Sequence, residues 1–135
     1  MRRQAAPLGG RVLFTGSVPD PETYLAAMDV MALPSLFEGF PTVLLEWQCA
    51  GLPTLASASV TREAALTPLV SYLPLDAGAE AWAEAILSLP PRAQTSKEAA
   101  AALEQGGYAL KDAAAALLDF YRTLSPSRKT RFTKG

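Results

Sequence analysis

The sequence predicts an α/β fold built on a parallel sheet, and three observations carry that prediction. Short β-rich apolar runs alternate with helical patterns along the chain. One run, Asp29–Pro34 (DVMALP), is almost continuously apolar, as in strands buried on both faces of a parallel sheet. The helical stretch after it, Pro41–Ala50, begins with proline and is followed by Gly51, a good helix-ending residue.

Taken in order, residues 1–10 carry Ala-Ala-Pro and Gly-Gly and read as a flexible N-terminal segment. Arg11–Gly16 (RVLFTG) reads as a first strand stopped by glycine. Pro21 suits the first position of a helix over Glu22–Met28, with Asp20 to cap it. Then come the strand Asp29–Pro34, the loop Ser35–Phe40, the helix from Pro41, and a strand at Leu52–Ser57. A turn or short helix around Thr61–Ala65 leads to a weaker fourth strand, Val70–Leu75. The remainder is helical. Ala79–Leu89 places Ala79, Trp82, Ala83, Ile86 and Leu87 on one face, and Pro90 and Pro91 end it. A second helix begins at Ser96 and breaks at Gly106-Gly107. A third, Tyr108–Leu124, lines up Leu110, Ala114, Leu117, Leu118 and Tyr121. Residues 125–135 read as a disordered basic tail.

The 135 residues amount to one domain or less, at roughly 100–200 residues per domain. Half are hydrophobic and 19% charged, enough for a packed core. The net charge of −1 hides an asymmetry, because all 13 acids lie between Val12 and Tyr121, where the basic residues are Arg62, Arg92, Lys97 and Lys111. A nucleic-acid binder carries a basic stripe on its body, so no nucleic-acid partner is expected. One cysteine, Cys49, and no histidine exclude an internal disulfide, the usual zinc sites and a Ser-His-Asp triad. No apolar run approaches the roughly 20 residues of a membrane span, and no signal-peptide pattern opens the chain. A reducing cytoplasm is the expected location, with at most peripheral contact through the basic tail at the inner face of the membrane.

In parallel sheets, ligands bind at the carboxyl ends of the strands, which directs attention to Ser35–Phe40. Glu38 lies in this loop. Gly39 lets the backbone turn tightly or approach a ligand. A helix starting at Pro41 leaves the N–H groups of Thr42 and Val43 without intrahelical partners, at the positive end of the helix dipole, where a diphosphate is favoured. Glu46 sits one turn after Thr42 and can accept from a neighbouring diol. The same spacing also suits a loop glutamate that only complements the helix dipole, an effect of about 0.3–1 kcal/mol.

The wider segment Leu33–Gly51 (LPSLFEGFPTVLLEWQCAG) is more specific. It resembles the signature of the family-4 retaining glycosyltransferases of GT-B fold: Leu-Pro-Ser, Glu-Gly-Phe-Pro, a second Glu in the helix, then Gly-Leu-Pro and a strand with Ala-Ser. Val12–Gly16 and Tyr24–Val30 are similar to the preceding strand, helix and strand. Thr61-Arg62-Glu63-Ala64, Trp82-Ala83, Gly107-Tyr108 and Asp119-Phe120-Tyr121 resemble the exopolysaccharide and capsule-synthesis subgroup. The resemblance covers residues 11–124 and implies a partial Rossmann-like domain that binds a nucleotide-diphosphate sugar. It implies that Glu38, the catalytic candidate, contacts the donor sugar hydroxyls. Gly39, Phe40, Pro41, Thr42 and Val43 would meet sugar and diphosphate, and Glu46 would hold the ribose. It implies transfer with retention to a glycan or lipid-linked acceptor, with no metal and no cofactor.

Two departures from the family matter. Trp47 stands where a small residue is usual and is expected to pack outward or against a neighbouring domain. The family's first two strand-helix units, with a Gly-Arg-Leu segment and a Lys that grip the diphosphate, have no counterpart here, and neither does its acceptor domain. Arg62 is the one mid-chain cation to weigh for the phosphate, against a surface role. The expectation is a sheet of about four strands in the order 3-4-5-6, with Arg11–Gly16 paired directly to Asp29–Pro34 or left loose, and with unpaired edges that favour self-association. The isolated chain is expected to be inactive. The alternative is a non-catalytic donor-binding subunit or remnant that needs a separate N-terminal part, and a purely structural module whose glutamates serve one helix also remains open.

Overall fold

The computed structural model describes residues 2–92 and 97–124. Its centre is a three-stranded, wholly parallel sheet in the order β1-β2-β3, formed by β1 (Met31–Leu33), β2 (Thr54–Ser57) and β3 (Val70–Leu73). Met31, Ala32 and Leu33 pair with Thr54, Leu55 and Ala56, and Thr54 to Ser57 pair with Val70 to Leu73. The α/β class is as the sequence predicts, but the strand count is lower. Arg11–Gly16 forms no strand. Ala6–Arg11 is a 3-10 turn, and the extended chain after it leaves Leu13 81% exposed and Phe14 partly exposed. Of the two expected outcomes for this run, it is the unpaired one that holds. A strand exists only through its ladder, and β propensity alone does not supply a partner. Residues 1–10, expected as a flexible segment, include a short helix α1 (Arg2–Ala5) that buries nothing.

The buried strand is β2, every residue of which is buried. β1, read from its apolar run as buried on both faces, is an edge strand with Ala32 exposed. The core gathers Leu44, Ala56, Val60 and Ala64, with Leu33, Leu45, Trp47, Val70 and Tyr72 packed around it. Trp47 thus packs half-buried against this core, within the domain itself.

Helix boundaries follow local chemistry. Helix α2 (Pro21–Ala27) has proline in its first turn, and Asp20 accepts from the Thr23 N–H at 3.3 Å and the Thr23 hydroxyl at 2.6 Å. Those bonds, the hydroxyl one foremost, hold the Asp20 carboxyl below its ordinary value. Helix α3 (Thr42–Cys49) ends as the sequence predicts: Gly51 takes φ +71°, its N–H donates to Gln48 and the Leu52 N–H donates to Trp47. This crossed pair of bonds satisfies carbonyls that the helix leaves open. Helix α5 (Lys97–Gln105) ends in the same way at Gly107 and Tyr108.

Helix α4 (Gly78–Leu87) buries Trp82, whose ring N–H donates to the Pro74 carbonyl at 3.0 Å. Leu87, expected on the same buried face, is 86% exposed. Helix α6 (Leu110–Leu124) is amphipathic by pattern, yet Leu117, Leu118 and Tyr121 all lie more than half exposed. The expected start of α5 at Ser96 and the basic tail of residues 125–135 lie outside the described residues. No described helix is long and apolar enough to cross a membrane.

Candidate functional site

Loop Pro34–Pro41 leaves the carboxyl end of β1 and enters α3, so it occupies the edge of the sheet where such folds bind ligands. Within it Glu38 is half-buried, and its Oε1 accepts from the Ser35 hydroxyl at 2.7 Å. This bond fixes one carboxylate oxygen and leaves the other for a further donor. Gly39 is exposed, and a β-carbon added there would meet nothing within 4 Å. The loop backbone at Gly39 is therefore open to approach from outside.

The helix entrance is partly closed by its own backbone. Pro41 adopts φ −79° and ψ 83°, an inverse γ-turn in which the Thr42 N–H donates to the Phe40 carbonyl at 3.0 Å. The Leu44 N–H donates to the Pro41 carbonyl at 2.9 Å. Thr42, read from the sequence as a bare amide, is thus engaged. The Val43 N–H has no partner among the described residues, and no side chain caps the helix. The Phe40 ring stacks on Tyr108, with centroids 5.4 Å apart and planes at 19°. One face of the Phe40 ring is thus covered by the segment between α5 and α6.

Glu46 is exposed on α3 and lines a hollow of about 560 Å³ between α2 and α3. Leu25 and Ala26 face Leu45, Glu46 and Cys49 across it, with Arg92 among the lining residues. Glu38 is not part of this hollow. Burial raises the half-buried Cys49 thiol above its ordinary value, and the nearby Glu46 carboxylate adds to the rise. Arg62 lies over the Tyr72 ring, 4.3 Å from its centroid, while the Tyr72 hydroxyl donates to the Thr61 carbonyl. Burial raises the Tyr72 phenol and the Arg62 charge opposes the rise. Arg62 is exposed, and its charge is engaged with this ring. Among the described residues no three Cys, Asp or Glu side chains gather as a metal would need.

Two residues with central roles went unnoticed in the sequence. Gln48 is fully buried: its amide donates to the carbonyls of Leu44 and Ala64 at 2.7 Å each. Its oxygen accepts from the N–H groups of Leu66 and Thr67 and from the Thr67 hydroxyl, at 2.9, 2.9 and 3.0 Å. Arg92 donates to the carbonyls of Leu25, Ala26, Met28 and Ala50. Apart from Leu44, the partners of both are distant in sequence, so neither spacing nor composition signals them.

The sequence that builds this loop and helix matches a known family. Residues 1–90 match the family model described as glycosyl transferases group 1, and the chain belongs to that family. It is 36% identical over 115 residues to the protein named "Putative glycosyltransferase EpsF" of Bacillus subtilis (strain 168), a match covering 82% of this chain and 29% of the relative. The chain thus spans less than a third of that relative's length. No solved structure matches it significantly.

Proposed function

We propose that this chain forms the donor-binding part of a retaining GT-B glycosyltransferase of the family-4 type, acting in exopolysaccharide or capsule synthesis. The donor is a nucleotide-diphosphate sugar and the acceptor a glycan or lipid-linked glycan. Glu38, with one oxygen tied to Ser35, accepts from the sugar hydroxyls. The open backbone at Gly39 and Phe40, the turn at Pro41 and Thr42, and the unpartnered N–H of Val43 meet the sugar and diphosphate. Glu46 holds the ribose. The observation that carries this reading is the uncapped N-terminus of α3, directly after the Glu38 loop, in a chain of the group 1 family. The family's retaining chemistry is front-face attack with the leaving diphosphate as base, which needs positive charge and N–H donors around that diphosphate. Val43 supplies one such donor here.

The test is a titration with uridine and guanosine diphosphates, free and sugar-linked, followed by tryptophan fluorescence. Trp47, one residue after Glu46, is the reporter, and Glu46→Ala is the control. A saturable change that Glu46→Ala weakens supports the reading. An unchanged signal in both proteins overturns it.

A further inference from the structure

Helices α2 and α3 lead to the amino-terminal ends of the paired strands β1 and β2, and their C-terminal carbonyls converge on one side chain. The Arg92 guanidinium donates through one nitrogen to Leu25, Ala26 and Met28, at 3.1, 2.8 and 3.1 Å, and through the other to Ala50 at 2.8 Å. Each helix C-terminus carries a partial negative charge, so two brought together repel unless a cation stands between them. A planar guanidinium suits that place, because its fork reaches two helix ends at once and its charge is permanent. Above this junction, α2 and α3 face each other across the hollow that Glu46 lines, one turn before Ala50. Arg92 thus spans the gap that the helices themselves leave open.

We infer that Arg92 is a positioning residue for Glu46: it sets the spacing of α2 and α3, and so where the Glu46 carboxylate stands relative to the bound nucleotide. This rests on the donor-site reading above, and it assigns Arg92 no contact with the donor.

The experiment uses the full 135-residue chain. Uridine diphosphate binding is titrated for the native protein, Arg92→Ala, Arg92→Lys, Glu46→Ala and the double variant. Thermal melting of each confirms that a folded protein is compared. Arg92→Ala weakens binding about tenfold, the loss of roughly one charge-assisted contact. Arg92→Lys, which keeps the charge but not the fork that spans both helix ends, recovers part of the loss. In the Glu46→Ala background the Arg92→Ala change has less than about a twofold effect, because a residue that acts through Glu46 has nothing left to position. An equal loss in both backgrounds overturns the inference, as does no loss in the native background. Labelling of Cys49, the sole thiol and part of the same hollow, gives a readout independent of nucleotide. Its rate with a disulfide reagent changes several-fold in Arg92→Ala and less in Arg92→Lys, and an unchanged rate in Arg92→Ala overturns the inference. If the native protein binds no nucleotide, the donor-site reading fails, and the labelling rate alone decides whether Arg92 sets the helix spacing.

Discussion

Gln48 on α3 and Thr67 in the loop before β3 are joined twice over: the amide oxygen of Gln48 accepts from both the Thr67 N–H at 2.9 Å and its hydroxyl at 3.0 Å. With its bonds to Leu44, Ala64 and Leu66, Gln48 secures a loop that has little regular structure of its own. A buried amide is costly unless it is satisfied, and this one uses both of its donors and its acceptor.

Gln48→Leu therefore removes five hydrogen bonds while keeping the volume. The N–H groups of Leu66 and Thr67 and the Ala64 carbonyl lose their partner, and the variant is destabilised by about 3 kcal/mol. Urea unfolding followed by tryptophan fluorescence measures this. A loss below about 1 kcal/mol would mean that water readily replaces the amide.

Gly51→Ala places a β-carbon at φ +71° in the bonded stop that ends α3. The left-handed conformation costs a non-glycine residue about 1–2 kcal/mol, and the midpoint of unfolding falls accordingly. Nucleotide titration of the same variant is expected to change little, since the stop lies at the far end of α3 from Val43.

Cys49 has its thiol raised above 9.0, by burial first and by Glu46 second. At pH 8 its alkylation by iodoacetamide is slower than that of the same thiol in the unfolded chain. Glu46→Gln removes the second cause and speeds the reaction, though not to the unfolded rate, because the burial remains. The sign also fixes the pH dependence of stability. A pKa raised in the folded state gives a contribution that is complete below 9.0 and is lost as pH rises through the folded value. A thiol that alkylates equally fast with and without Glu46 removes the electrostatic link between the two.

Self-association is expected from the edge of β1 that is unpaired among the described residues and from the exposed apolar side chains. Leu13 is 81% exposed, and the α6 residues Leu117, Phe120 and Leu124 are more than half exposed. Light scattering at several protein concentrations reads it as a rising hydrodynamic radius. Leu117→Lys with Leu124→Lys lowers the rise. A concentration-independent monomer would show that these faces do not associate.

What could be read from the sequence was what local chemistry decides. The Asp20-Pro21 start of α2, the glycine stops after α3 and α5, and the β2 strand all follow from residues within a few positions of one another. Glu38 and Glu46 stand out in the sequence because the motif around them is contiguous, but the hollow that Glu46 lines does not include Glu38. The first strand failed because RVLFTG has the composition of a strand but meets no ladder. Leu87 and the α6 stripe show the same gap, since an apolar pattern records what a helix can bury and not whether a neighbour is there. Ser35, Gln48 and Arg92 are polar side chains of ordinary kind, and only the fold reveals what each one holds.

The stack of Phe40 on Tyr108 joins the loop that carries Glu38 to a segment made much later in synthesis. During translation the sheet strands emerge first, and the loop remains unsupported on one side until residues beyond α5 have left the ribosome. Bracing of the loop is thereby tied to synthesis as far as Tyr108, and a product ending at α5 would carry the sheet strands with an unbraced entrance to α3.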